Sequence, residues 1–311
     1  MDREPSPEGL HSDVLDVGAL KLRIGITAGD SAGIGPEVVT AALLSDRLPK
    51  EVAYRLVGEV ADGVLGQPTE ATARVALDAL EEAVRLALAG ELDAVVTGPI
   101  HKAHMYKVGF DFPGQTEFFA SRCGVTDFGM LLTTSKITVA LVTTHIPLRD
   151  VAGSLQTSEI IRVGKLLAKF LRRRGIKKPR IAVAGLNPHA GESGALGREE
   201  IEIISPAIDM LRADDTSATF AGPISPDTLF HSLAHGTWDA ALCMYHDQGL
   251  IPLKLIGFDE GVNVTLGLPF PRTSPDHGTA FDIAGKGVAR ADSMIAAINL
   301  AVELAQNGDG A

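Results

Sequence analysis

Short apolar runs that stop at polar or glycine-rich turns recur along this chain. Residues 22–27 (LRIGIT) run into AGDSAGIGPE, 93–96 (DAVV) into TGPIHK and 137–142 (ITVALV) into TTHIPLRD. Residues 180–186 (RIAVAGL) run into NPHAGE, and 240–244 (AALCM) into YHDQG. Runs of this length without polar alternation suit strands buried on both faces, as in parallel sheets. Between them, residues 71–89, 158–172, 199–211 and 291–305 carry apolar positions at three- and four-residue spacing, which predicts amphipathic helices. Strands alternating with helices predict an α/β fold with mostly parallel sheets.

The chain has 311 residues, enough for two α/β/α domains. The expected division is a flexible tail at 1–20, a first domain over 21–135 closed by 287–311, and a second domain over 136–286. The boundary is placed near 129–136, where a threonine-rich basic turn precedes ITVALV. No run approaches the ~20 apolar residues of a membrane span. Residues 1–18 are acidic and polar, without the apolar core of a signal peptide.

Composition narrows the functions without choosing one. The net charge of −11 argues against nucleic acid or an anionic membrane as the main partner. It also requires that any anionic substrate meet positive charge concentrated in the site. Two cysteines, Cys123 and Cys243, form no metal motif, and a reducing cytoplasm is expected.

Three histidines stand out by position. His145, His189 and His246 each follow an apolar strand by two or three residues, where ligands bind in open α/β sheets. They are too far apart in sequence for a local zinc finger. Three imidazoles with an open position would make a catalytic metal site. Three loop histidines with private hydrogen bonds fit the pattern equally well. Asp150, Glu192 and Asp247 lie close by in sequence and are candidates to orient the imidazoles. The turn GDSAGIGPE at 29–37 lacks the spacing of a phosphate loop or a dinucleotide fingerprint. It serves equally as a tight strand-to-helix turn. Lys254 and Arg272 are candidate binders of phosphate or carboxylate. The segment PRTSPDHGTA (271–280) reads as a shaped loop.

Taken together, VTTHIPLRDV, GLNPHAGESGALGREE, MYHDQGLIPLK and GVNVTLGLPFPRTSPDHGTAFDIAG resemble the 4-hydroxythreonine-4-phosphate dehydrogenase family of pyridoxal phosphate biosynthesis. The resemblance runs from Arg23 to about Val302. It implies a two-domain fold like that of isocitrate and isopropylmalate dehydrogenases, and a homodimer whose shared active sites each bind a divalent metal (Zn, Co, Mn, Ni or Mg). It implies NAD or NADP as cofactor and a phosphorylated small molecule as substrate. His145, His189 and His246 match the family's metal ligands. Thr116, Lys254, Asn263 and Arg272 match its substrate-binding residues, and Asp276, His277, Gly278 and Thr279 its cofactor loop. Lys254 and Asp247 are candidates for catalysis, Asp247 in proton transfer or in orienting a ligand.

The chain departs from the family pattern in several places. Gln115 stands where the family has a substrate-contacting histidine, and it cannot become cationic. Ser31 replaces a usual proline, His101 replaces a usual asparagine, and the segment between Val57 and Asp93 is short. These changes fall in the substrate-facing half. They keep open a dehydrogenase of 4-phospho-D-threonate or 4-phospho-D-erythronate. A metal-dependent hydrolase and a non-catalytic metal-binding dimer are the alternatives outside that chemistry.

Overall fold

The computed structural model of the chain describes residues 21–61 and 63–308; the tail expected at 1–20 lies outside the described residues. Among these, ten strands form one sheet. They are β1 (Arg23–Thr27), β2 (Ala53–Val57), β3 (Ala94–Thr97), β4 (Gly129–Thr133), β5 (Thr138–Leu141), β6 (Arg180–Ala184), β7 (Thr219–Ile224), β8 (Ala240–Cys243), β9 (Val262–Leu266) and β10 (Arg272–Pro275). Their spatial order is β2-β1-β3-β10-β9-β4-β5-β8-β6-β7.

The first four in that order are mutually parallel. The last four are also parallel to one another. Antiparallel pairings through β9 and β4 join these blocks. The sheet is therefore mostly parallel, as the apolar runs predict, and helices cover both faces.

One apolar core runs under both blocks, from Ile24 and Val96 through Leu131 to Val183 and Leu242. A second packs the helix Glu70–Leu88 and Phe110, Phe118 and Phe119 on the other face of the first block. A third packs Leu229, Leu233, Leu250 and Leu253 on the other face of the second. The helix Glu70–Leu88 starts at a reciprocal Thr69–Thr72 cap and buries an alanine- and leucine-rich stripe.

Two sequence expectations are corrected. Residues 129–136, read as a turn, contain β4, which forms a hairpin with β5. Residues 271–280, read as a loop, begin with β10, so Arg272 sits on a strand buried between β3 and β9. Both strands are short and are bounded by turn residues, so period alone does not reveal them.

Candidate active site

The loop after β3, the start of the helix Gln115–Arg122, strands β9 and β10, and the loop after β5 enclose a cavity of about 190 Å³. Arg272 forms its floor and is 2% exposed. Its guanidinium donates to Thr97, to Gln115 Oε1 at 2.9 Å and to Thr265 Oγ1 at 3.3 Å, and lies 5.3 Å from the Phe119 ring centroid. Its Nε has no partner. Burial pushes its pKa down to about 9, and the charge of Glu117 works in the opposite direction. Arg272 is therefore still cationic at neutral pH. A buried cation bonded only to neutral groups is a site for an anion.

Gln115 and Thr116 come together with Arg272. Gln115 Nε2 donates to the Gly98 carbonyl at 3.1 Å while its Oε1 accepts from Arg272, so the amide ties the arginine to the loop after β3. Thr116 is buried and shares a hydrogen bond with Thr265 at 3.3 Å. Asn263 lines the cavity from β9, and its Oδ1 is buried without a partner.

The loop Asp276, His277, Gly278 and Thr279 packs against the glycine-rich turn. Ile34 N–H donates to the Thr279 carbonyl at 2.9 Å, and a Cβ on Gly33 would lie 2.6 Å from that same oxygen. At Gly29 (φ +75°) a Cβ would lie 2.2 Å from the Pro99 carbonyl. These glycines allow backbones to touch; this is the tight-turn reading of GDSAGIGPE. His277 faces the cavity and its Nε2 is unpartnered. Lys254 does not line the cavity within one chain. It pairs with Asp276 at 3.0 Å and so braces that loop.

Because β5, β8 and β6 are adjacent and parallel, the loops bearing His145, His246 and His189 leave the same sheet edge. Within the chain, however, only two of the three meet. The His145 and His246 rings are 5.5 Å apart. Asp227, held low by the Ser225 hydroxyl, also feels His189, which places that imidazole by the helix Pro226–Ala234. Among the described residues, no three histidine, cysteine or acidic side chains of one chain are set to hold a metal.

His189 opens a run of left-handed backbone through Ser193, with φ between 42° and 80°. Left-handed conformations cost roughly 1 kcal/mol or more for each non-glycine residue. The buried Glu200 carboxylate offsets this by accepting from the Leu186 and Asn187 N–H groups at 2.8 and 2.7 Å. Its second oxygen accepts from Asn187 Nδ2 at 2.9 Å.

The donor chemistry of the histidines fits a divalent metal. Burial, with Lys102 and His246 nearby, lowers the pKa of His145, against a smaller opposing effect of Glu117; this favours the neutral imidazole that binds metal. His246 Nδ1 lies 2.7 Å from Asp247 Oδ1, an orienting contact that leaves Nε2 for a ligand. Asp150 plays no such part for His145; it pairs with Arg149 at 3.6 Å.

Three residues that the sequence does not single out belong to this site beside Lys102, a basic residue just after TGPI. Glu117 and Lys102 line the cavity, Thr97 holds Arg272, and Glu200 holds the His189 turn. Glu117 lies two residues after Gln115 and Glu200 ends the quoted GREE string, so the signal was adjacent. Nothing in spacing distinguishes them from solvent-facing acids on helix starts.

The family model described as pyridoxal phosphate biosynthetic protein PdxA matches residues 31–301. A 4-hydroxythreonine-4-phosphate dehydrogenase from Maricaulis maris is 43% identical, over 91% of this chain and 97% of its own length. The crystal structure of such an enzyme from Klebsiella pneumoniae superposes with a TM-score of 0.78 at 38% identity, covering 92% of this chain and 100% of that one. An isocitrate dehydrogenase from Methylococcus capsulatus shares the fold at 16% identity, with a TM-score of 0.51 over 92% of this chain and 88% of its own.

Proposed function

We propose a function from one premise: the chain belongs to the family of the pyridoxal phosphate biosynthetic protein PdxA. It is a dehydrogenase, an oxidoreductase, and its substrate is 4-phosphohydroxy-L-threonine. The overall reaction oxidises the secondary alcohol, reduces NAD or NADP, and releases CO₂ to leave 3-amino-2-oxopropyl phosphate. The observation that carries this reading is Arg272: a buried cation with no carboxylate bonded to it, on the floor of a cleft in an acidic protein.

Each residue has a stated part. Arg272 clamps phosphate or carboxylate, and Gln115 holds the guanidinium in place. Thr116 and Asn263 orient the substrate. Lys254 serves the substrate from beside the 276–279 loop, along which the cofactor lies, and Asp247 holds the His246 tautomer and is the candidate for proton transfer. His145 and His246, with the partner's His189, would hold a divalent metal. When bound, that metal acidifies the substrate hydroxyl and stabilises the negative charge that develops as CO₂ leaves. Imidazole ligands favour zinc, cobalt, nickel or manganese over magnesium.

The open histidine edge supports the reading of a homodimer with shared sites. Ile251, Leu255 and Phe258 are 66%, 85% and 73% exposed on or just after the helix His246–Gly257, an apolar strip suited to a second copy. Among the described residues, no helix is long and apolar enough to cross a membrane. The cysteines are unpaired, and burial raises the Cys243 thiol above its ordinary range. Both features suit the cytoplasm.

The test supplies NAD, a divalent metal and 4-phosphohydroxy-L-threonine and follows NADH absorbance. Turnover is expected. Turnover on 4-phospho-D-erythronate or 4-phospho-D-threonate alone would instead assign the sister chemistry.

A further inference from the structure

Glu117 is the sole carboxylate among the described residues lining the Arg272 cavity. It occupies the third position of the helix Gln115–Arg122, whose cap residue is Gly114. A glutamate there commonly reaches back to the cap N–H. Glu117 does not; its buried Oε2 has no partner at all. It is near enough to raise the proton affinity of both Arg272 and His145, yet the hydrogen bonds of Arg272 go to neutral groups. Across the same cavity, Asn263 Oδ1 on β9 is also buried and unpartnered.

Two orphan acceptors, one of them charged, cannot receive an anion. They call for a donor, and a carboxylate with a buried, unpartnered oxygen calls for a cation. A primary ammonium supplies both: three N–H donors and a positive charge. We propose that Glu117 and Asn263 form an ammonium subsite that reads the amino group of the substrate. Arg272 takes an anionic end of the same molecule.

This rests on the dehydrogenase reading above and narrows it. 4-Phosphohydroxy-L-threonine carries an ammonium where 4-phospho-D-erythronate and 4-phospho-D-threonate carry a hydroxyl. A hydroxyl can donate one hydrogen bond to Glu117 but brings no positive charge to the carboxylate. The chain therefore selects the amino acid, and Glu117 is a specificity-determining residue. Gln115, the departure that first put the substrate in question, is engaged with Arg272 and Gly98 and does not read this group.

The experiment compares wild type with Glu117→Gln, both metal-loaded. It measures kcat/KM for 4-phosphohydroxy-L-threonine and calorimetric binding of that ligand and of 4-phospho-D-erythronate. A charge-assisted hydrogen bond implies a loss on the order of 10- to 100-fold for the amino substrate, mostly in KM. Binding of 4-phospho-D-erythronate should hold or tighten, and bound metal by mass spectrometry should not change. Equal loss on both ligands, no loss on either, or loss of metal overturns the subsite. A wild type that binds the amino ligand no better than the hydroxyl ligand overturns it without any variant. A wild type that binds neither overturns the dehydrogenase reading as well. Asn263→Leu, on a different element, should show the same selectivity at smaller size.

Discussion

Arg272 is 2% exposed and is held by three side chains of its own chain, whereas His189 stands open to solvent and His145 and His246 are only partly covered. The first region is finished by folding. Its strand is buried between neighbours, its amide strut is in place, and its unpartnered atoms face one cavity. The second is half made: two imidazoles meet and the third faces elsewhere, beside an exposed apolar strip. The contrast teaches that one chain fixes a buried cation by itself, while among the described residues its three histidines do not gather into one site.

The sharpest way to test the finished half is Arg272→Met. Replacing a buried, ion-unpaired charge with an apolar chain of similar length relieves desolvation. Thermal stability should hold or rise, while kcat/KM falls on the order of 10³-fold. A large fall in melting temperature would make Arg272 a structural residue and erase the comparison.

A smaller effect is expected on the open half from Glu200→Gln. The amide can still accept one hydrogen bond, but it loses the charge that offsets the left-handed run at His189. Stability should drop by about 1–3 kcal/mol, and metal affinity should fall roughly tenfold as the imidazole wanders. Unchanged affinity, measured with a competing chelator, would detach Glu200 from the metal.

The smallest effect concerns pH. Burial lowers the pKa of His145 in the folded chain. The apoprotein should therefore keep full stability above the ordinary histidine value of about 6.5 and lose some as pH falls toward the depressed one. In His145→Gln this part of the slope should vanish. Identical melting profiles for the two apoproteins between pH 7 and 5 would contradict the burial of His145.

The α/β class and the sheet-edge placement of His145, His189 and His246 were legible because period and position carry them, whereas Arg272 was legible only as a cation that an acidic protein would concentrate in its site. Runs such as ITVALV announce buried strands, and histidines just past such runs announce a sheet edge. The hairpin strand β4 and the inserted strand β10 were not legible. Each is short, and each is defined by its neighbours in the sheet rather than by its own pattern. Glu117 was hidden for a different reason: a glutamate at the start of a helix looks like a cap until its missing hydrogen bond is seen. His189 leaves the same sheet edge as the other two, but its left-handed turn sets it by the helix Pro226–Ala234, and strand order does not encode the course of a turn.

The most direct test of the shared site is complementation between His145→Ala and His189→Ala. Each variant alone should lose bound metal and activity. If His145 and His246 are completed by the partner's His189, a mixed dimer holds one site with both mutations and one with neither. Unfolding and refolding the two variants together in equal amounts should then restore about a quarter of wild-type activity, with metal to match, as random pairing of two-fold dimers requires. Mixed dimers that form, shown by native mass spectrometry, yet recover neither metal nor activity would contradict the account.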